Sequence, residues 1–427
     1  MTTPMPVRDT FGLLPDSTPV LLYAVFAPFA VALGLGLYWR FRALGLGALI
    51  AAGPGGVMAG VRRLLRYGLG QARVAQKPRG WPHLGIFYGF LTLLAGTTLV
   101  ALDWDVFHPF GARLLQGNRY LYLEAVLDLL GAIFVASLAT ALVWRLAKLR
   151  AASADQRRIQ WQFIALIAGL LYLGVTGFTL EGLRLAVNPQ PWADWSWVGW
   201  QVSHLLPART GDTTAQIVYI ALWWSHALVA FTLLAALPYS TFLHSFAAPL
   251  NLLVHPGQPQ IELATPFDLR ELQASGNFDV KVGAASLADL DPRARFALMA
   301  CTNCGRCENA CPAFAMGTAL SPRRLVQTLR WRYLQGDKNT DLLTGGAVTA
   351  AELWACTTCA ACVEACPVLI RPVDYIVPFR RELVTRQQLD KKQTELLGNL
   401  GRSFNPYGLP ASNRLQLARD LTARAGS

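Results

Sequence analysis

The chain has 427 residues, of which 53% are hydrophobic and 15% charged, with a formal net charge of +12. A charged fraction so far below the usual quarter excludes a disordered, solvated chain and argues against a purely soluble enzyme. All eight cysteines fall between Cys301 and Cys366, a crowding that a secreted disulfide scaffold does not show.

Residues 1–18 carry Pro4, Pro6, Pro15 and Asp16. They do not read as a cleaved signal peptide and form an N-terminal segment. A membrane-crossing helix needs about 20 apolar residues. Such runs occupy 19–39, 84–102, 121–144, 161–180 and 215–237. The last is expected to continue as helix to His244. Ala43–Val61 is apolar too, but Gly53-Pro54-Gly55-Gly56 interrupts it and Arg62, Arg63 and Arg66 follow. We read it as an interfacial segment and not as a sixth span. Gly34, Gly36, Gly45 and Gly47 are read as helix-packing positions.

Charge orders these spans. The loops Arg40–Arg79 and Arg145–Arg158 hold 13 basic residues, against 5 on the other side (Arg8, Arg113, Arg119, Arg184 and Arg209). The positive-inside rule then puts both loops in the cytoplasm, the N-terminus outside and the C-terminal part inside. There are 18 basic against 10 acidic residues up to His244, and 20 against 16 beyond it. Most of the excess thus marks topology, and nucleic acid is not expected as a partner.

The expected architecture is mainly α. A five-helix transmembrane bundle over 19–250 leads through a linker at 251–284 to a cytoplasmic α-helical ferredoxin domain over 285–400. A tail at 401–427 is left for partner contact. Leu320–Glu352 carries helical spacing up to a break at Gly345-Gly346, and a further helix is expected over Leu383–Leu400. Its Arg386, Lys391 and Lys392 read as a solvated face.

The cysteines form two matched runs. Cys301, Cys304, Cys307 and Cys311 repeat the spacing of Cys356, Cys359, Cys362 and Cys366, and each run ends in Cys-Pro. This is the bacterial ferredoxin spacing, in which the cysteine before proline serves the other cluster. One [4Fe–4S] cluster is therefore assigned to Cys301, Cys304, Cys307 and Cys366, the second to Cys356, Cys359, Cys362 and Cys311. Paired zinc knuckles share the Cys-x2-Cys element, but two complete runs favour iron–sulfur. Both clusters need reduced thiols, which suits a cytoplasmic location.

There are six histidines. His226 and His244 stand 18 residues apart, about five turns of a continuous helix, which puts them on one face at different depths. His83 opens the second span at the depth expected for His244, so the two suit bis-imidazole ligation of a haem b. For His226 three readings stand: a second haem with His108 or His204, a quinone site, or packing. His255 is assigned to the linker. Glu181 and Arg184, one turn apart, and Glu124 and Asp128, on one face of the third span, are either ion pairs or a quinone, proton or propionate site.

On these residues, 19–250 resembles the cytochrome b (gamma) subunit family of respiratory nitrate reductases. That family carries two histidines 18 apart on its last span, as His226 and His244 are, and two ligands ten apart on its second. His83 matches the first of these, and Leu93 stands where the second would be. Residues 285–415 resemble heterodisulfide reductase-like iron–sulfur proteins in Cys301-Thr302-Asn303-Cys304-Gly305-Arg306-Cys307, Leu320-Ser321-Pro322 and Asn405-Pro406-Tyr407-Gly408-Leu409-Pro410. Fused relatives look like electron-transfer flavoprotein:menaquinone oxidoreductases that continue into CCG domains. The resemblance implies two [4Fe–4S] clusters, haem b and menaquinone. It also implies a cytoplasmic CCG-domain, heterodisulfide reductase-like or flavoprotein partner, and a prokaryotic plasma membrane.

The expected function is electron relay between that partner and membrane quinone. No Gly-x-Gly-x-x-Gly fingerprint for FAD or NAD is present, and no substrate-oxidising site of the chain's own is expected. The alternative is a membrane anchor or assembly protein with structural clusters. A transporter would predict duplicated spans, and none is visible.

Overall fold

The computed structural model describes residues 5–42, 53–150, 154–255 and 267–425, with positions 257, 263 and 265. Among these the chain is helical and without strands; Val7 and Gln116 form an isolated backbone bridge. It divides into two compact units. One runs to Gly257 and takes in Met299–Thr302 and Pro367–Leu369; the other holds Gln258–Leu298, Asn303–Cys366 and Ile370–Ser427.

The first unit contains α1 (Thr18–Phe41), α2 (Gly53–Arg63), α3 (Trp81–Leu102), α4 (Asn118–Arg150), α5 (Ala154–Val187), α6 (Trp197–Leu205), α7 (Thr213–Ala236) and α8 (His244–Val254). Among the described residues five helical stretches are long and apolar enough to cross a membrane: Thr18–Phe41, Pro78–Phe110, Asn118–Arg150, Gln160–Val187 and Thr213–Tyr239. Their apolar composition makes the helix interior the only place for backbone N–H and C=O groups in a bilayer.

Small residues set the helix contacts. A Cβ on Gly85 would lie 2.0 Å from Ser137 Oγ, and one on Gly89 would lie 2.6 Å from Phe134 Cβ. α3 and α4 therefore pack closely along this stripe. Phe134, Leu138 and Leu170 form a core, with Ile86, Phe90, Leu93, Leu233 and Phe242 around it. Gly36 meets Pro238 at 2.5 Å and is a packing position, whereas a Cβ on Gly34 would meet nothing within 4 Å, so the packing reading fails there. Gly45 and Gly47 lie outside the described residues.

One expectation needs correction in this unit. His226 and His244 do not share a helix. α7 ends at Ala236; Leu237–Tyr239 is a 3-10 turn, Ser240 is extended (ψ 179°), and a new helix begins at His244. Pro238 cannot supply the N–H that a continuing helix needs, and Ser240 Oγ instead accepts from Phe242 N at 3.2 Å. Gly53-Pro54-Gly55-Gly56, read as a break, opens α2. α2 reaches α8 by the absence of a side chain at Gly60, whose Cβ would lie 2.3 Å from Leu253 O. Arg63 then donates to Leu252 O (3.1 Å) and His255 O (2.7 Å), closing the carbonyl end of α8. The Ala43–Ala52 part of the expected interfacial segment, residues 151–153 of the second basic loop and much of 256–266 lie outside the described residues.

The second unit is built from short capped helices. They are α9 (Leu269–Ser275), α10 (Pro292–Ala297), α11 (Arg306–Asn309), α12 (Pro312–Ala315), α13 (Pro322–Leu334), α14 (Ala350–Trp354), α15 (Ala361–Glu364), α16 (Val373–Thr385), α17 (Lys391–Ser403) and α18 (Ala411–Ala425). Ser321 caps α13 by accepting from Arg324 N at 3.1 Å, and Thr349 with Glu352 forms a reciprocal capping box on α14. Leu287, Phe296, Leu298, Leu329, Leu353 and Phe379 are fully buried in the unit.

The helix expected over Leu383–Leu400 is two helices. The chain turns at Gln387 (φ 55°), and Asp390 restarts it as the N-cap of α17. Arg386 is not a solvated face: it pairs with Glu382 at 2.8 Å and Asp341 at 2.7 Å. Lys391 and Lys392 are exposed.

Candidate functional site

The two cysteine runs fold alike. Asn303 (φ 56°) and Gly305 (φ 80°) are left-handed in the first, and Thr358 (φ 54°) and Ala360 (φ 59°) occupy the same two places in the second. Each left-handed residue reverses the chain between cysteines, so that two thiols of each run stand on one tight loop and the third, Cys307 or Cys362, on the short helix that follows it, α11 or α15. Only glycine takes this conformation without steric cost. The second loop has alanine at Ala360, which is buried.

No disulfide consumes any of the eight thiols. Thr358 N donates to Cys356 Sγ at 3.3 Å, and Ile370 N to Cys366 Sγ at 3.3 Å. Cys362 packs with Ala360, Val363 and Val373. Burial pushes the Cys362 thiol up to about 12, with the charges of Cys356, Cys311 and Cys359 adding to the rise. Burial likewise raises Cys356, where Cys311 and Cys359 again contribute. Cys311, from the first run, thus lies within electrostatic reach of the second run's cysteines. Trp354 Nε1, two residues before Cys356, is a buried donor with no acceptor among the described residues. A soft, sulfur-rich donor set with an unsatisfied N–H beside it fits a bound iron–sulfur cluster.

Charges around the loops are arranged differently. In the first, Arg323 binds Glu308 and reaches Asn303 Oδ1 at 3.4 Å, and Ser321 Oγ donates to Glu308 Oε1 at 2.7 Å. Arg371, buried after Cys366, pairs with Asp374 at 2.7 Å. In the second, Arg380 donates to the carbonyls of Leu353 (2.8 Å) and Cys356 and lies 5.1 Å from the centre of the Trp354 ring.

In the first unit, His244 Nδ1 lies 2.6 Å from Thr241 O. A carbonyl can only accept, so Nδ1 carries a proton. His226 reaches the same state by another route. Thr176 Oγ1 donates to Tyr172 O at 2.7 Å, and its remaining capacity accepts from His226 Nδ1 at 2.8 Å. Each ring thus has its Nδ1 held by a neighbouring oxygen, the kind of contact that orients an axial imidazole ligand. His83 is exposed at the start of α3 and stacks on Phe87 (6.5 Å). Phe242, stacked on His244 at 6.5 Å, lies 6.3 Å from Phe90 of α3. His108 stacks on Trp104, and His204 Nδ1 donates to Trp200 O at 2.8 Å.

The four acidic and basic positions singled out in the spans join one network and its neighbour. Glu124 receives Arg184 Nη2 (2.9 Å), Arg8 Nη1 (3.1 Å), Tyr120 OH (3.3 Å) and Ser196 Oγ (3.3 Å). Arg184 also pairs with Glu181 at 3.7 Å, so the closer partner is the acid on the other helix. Gly199 gives Glu181 room, since a Cβ there would lie 2.5 Å from its Cδ. Asp128 does something else: it accepts from Val198 N (2.6 Å) and Gly199 N (3.2 Å) and so closes the N-terminal end of α6.

Sequence reading missed Arg8, Thr176, Arg380 and the left-handed residues. Arg8 and Thr176 act through partners more than a hundred and about fifty residues away, which no local pattern marks. Gly305 was a visible signal for a left-handed position; Ala360 in the matching place was not.

Fold and loops together define an iron–sulfur electron-transfer protein with five helices long and apolar enough for a membrane. A protein-family profile described as "4Fe-4S dicluster domain" matches residues 294–367. The chain is similar to the "EtfAB:quinone oxidoreductase" of Syntrophomonas wolfei, 26% identical over 390 residues, covering 82% of this chain and 52% of that protein. It is similar to the "Probable membrane-anchored ferredoxin" of Chromohalobacter salexigens, 32% identical over 246 residues, 51% of this chain and 36% of that one. Over 92 residues it is 35% identical to a subunit of the ferredoxin/F(420)H(2)-dependent CoB-CoM heterodisulfide reductase of Methanosarcina acetivorans, 22% of this chain and 49% of that one. The chain spans about a third to a half of the length of these relatives. No solved structure matches. These similarities support an oxidoreductase subunit of the iron–sulfur, electron-transport class with a membrane-protein character.

Proposed function

We propose that this chain is a membrane-bound electron-transfer subunit of a respiratory redox complex. It relays electrons between a soluble CCG-domain, heterodisulfide reductase-like or flavoprotein partner and membrane quinone. The bound clusters and haem supply the one-electron chemistry. The observation that carries this reading is the pair of matched cysteine loops in the same chain as five membrane-length apolar helices.

In this reading Cys301, Cys304, Cys307 and Cys366 hold one [4Fe–4S] cluster, and Cys356, Cys359, Cys362 and Cys311 the other. The electrostatic grouping of Cys311 with the second run supports the exchange. His83 and His244 hold a haem b. Thr241 O orients His244, and Phe90 with Phe242 packs the two elements that carry the histidines. His226, oriented by Thr176, is the second metal or quinone position. The Glu124–Arg184–Glu181 group, with Arg8 on Glu124, sets two carboxylates against two guanidiniums and is the proton or propionate site, while Asp128 serves α6. The cysteine loops face the cytoplasm, as the basic loops require.

The test is an optical and EPR redox titration of the intact protein in detergent, with iron, sulfide and haem content. Two cluster signals, a b-type haem and reduction of a quinone analogue are expected. Clusters that take up electrons while no haem or quinone analogue follows would leave only the anchor function. A His83→Ala variant is expected to lose the haem absorbance; full retention would remove that ligand assignment.

A further inference from the structure

The two cysteine runs match as far as their prolines and then part. After Cys311-Pro312 the chain coils into α12. There the Ala313 carbonyl is taken within its own loop, accepting from Thr318 N at 3.2 Å and Thr318 Oγ1 at 2.9 Å. After Cys366-Pro367 the chain does not coil at once: Leu369 is left-handed (φ 60°), and helix resumes at Val373. Val368 stands where Ala313 does in the first run. Its carbonyl accepts from Asn251 Nδ2 at 2.7 Å. A left-handed leucine is sterically costly and persists only where its surroundings fix it.

Asn251 lies on α8, seven residues after His244, which is about two helical turns. It is the polar side chain of the apolar run Ala247–Val254 and is only 3% exposed. A buried amide destabilises a fold unless its hydrogen bonds are made. The carbonyl it meets is therefore what suits asparagine to this place. α8 is itself held on both sides of Asn251. Thr241 O fixes the His244 ring at its start, and Arg63 binds Leu252 O and His255 O at its end. Pro367–Leu369 and Met299–Thr302, which contains Cys301, belong to the same compact unit as α8. One short helix thus carries His244 and holds the segment that follows Cys366.

We propose that Asn251 is the positioning residue for electron exchange between the Cys301–Cys304–Cys307–Cys366 cube and the haem on His244. That cube, and not its neighbour, is then the one next to the haem in the relay. One electron is lost on one side and gained on the other; no bond forms or breaks, and no proton is needed. Tunnelling falls steeply with distance, so a hydrogen bond that pins the Cys366 segment to the helix of His244 governs the rate. Asn251 acts through Val368 and α8. The inference rests on the relay reading and on the cysteine and His244 assignments made with it.

The experiment follows haem absorbance after flash photoreduction of the full chain in detergent, with deazaflavin as donor to the loops of the exposed Cys304 and Cys359. A Cys304→Ser, Cys359→Ser double variant gives the background of direct haem reduction. Asn251→Leu keeps the shape and removes the donor. It should slow haem reduction by about tenfold or more, since a misplacement of about 1 Å between reacting groups costs up to roughly a hundredfold in rate. Haem content and the EPR midpoint potentials of both cubes should stay as they are. Hydrogen–deuterium exchange over 367–370 should rise in the same variant. Cys304→Ser should slow haem reduction more than Cys359→Ser does. The proposal is overturned if Asn251→Leu reduces its haem as fast as the unaltered chain, or if its slowing is matched by lost haem or a shifted cube potential. Should Asn251→Leu not assemble, a Cys359→Ser protein slowed as much as Cys304→Ser, or more, overturns it. An unaltered chain no faster than the background overturns the relay reading itself.

Discussion

The cysteine loops and the membrane-helix histidines are both ligand sets, and they are specified at different levels. The loops carry their ligands within ten or so residues, on a backbone whose left-handed turns recur at the same places in both runs. The histidines sit on separate elements, and what fixes each ring is a distant or irregular partner: Thr176 for His226, the Thr241 carbonyl for His244. A local site survives large changes in the surrounding fold. A site assembled from separate helices depends on every break between them, and the break at Pro238–Ser240 moved His244 off the helix that carries His226.

That contrast can be broken most forcefully at the cysteines. Cys311→Ser should abolish the same EPR signal as Cys356→Ser, and Cys366→Ser the same as Cys304→Ser, each with loss of about half the iron. Loss of Cys311 together with the Cys304 signal would mean that each run closes on itself.

The next effect is in the apolar unit, where stability rests on few polar partners. Glu124→Gln leaves Arg8 and half of the contacts of Arg184 without a carboxylate in a low-dielectric setting. A buried charge that loses its partner costs on the order of 3 kcal/mol. Thermal unfolding in detergent should show it, while both cluster signals persist. An unchanged midpoint would mean that this network contributes nothing to holding the helices.

A smaller change tests the loop backbone. Gly305→Ala meets only Arg323 Cδ, at 3.9 Å, so no clash accompanies it. Its cost is conformational, roughly 1–2 kcal/mol, and should appear as faster cluster loss on dilution or chelation. If Gly305→Ala releases its cluster no faster than the unaltered chain, the left-handed turn is not what holds that loop.

The smallest effect is electrostatic and lies far from both ligand sets. Burial works against the Asp289 carboxylate, but the Lys281 ammonium and the Ala285 and Ser286 N–H groups outweigh it and hold its pKa at about 2. A depressed carboxyl adds stability above its unfolded pKa of about 4. That stability fades as pH falls through the folded value of about 2. Asp289→Asn should lower stability at pH 7 by about 1 kcal/mol or less, since Lys281 is exposed. The gap to the unaltered protein should close between pH 4 and pH 2; a gap that stays constant there would assign it to the lost hydrogen bonds alone.

Spans and cysteine runs were legible because each is a local covalent pattern. Apolar length places the five helices, while their ends run up to eight residues further, as comparing 84–102 with Pro78–Phe110 illustrates. Cysteine spacing sets the loops, and Gly305 even marks one of the left-handed turns. Breaks were less legible. Pro238 stood in the sequence in plain view, yet five turns of spacing between His226 and His244 suggested continuity, because periodicity does not register a missing N–H. Left-handed Gln387 and the N-cap Asp390 divided another expected helix, where no proline marks the turn.

What the sequence determined by itself is the inventory: five membrane-length helices, two four-cysteine runs and the few polar residues within the spans. Those follow from composition and short spacing, which the chain carries wherever it folds. Tertiary structure alone decided the pairings. It set Glu124 against Arg184 and Arg8 in place of a simple turn-to-turn pair, turned Asp128 into the cap of α6, and gave Arg380 the carbonyls of Leu353 and Cys356. Electrostatic partners are chosen by distance in space, and a charge shows its counter-ion, or the absence of one, only when distant stretches of chain come together.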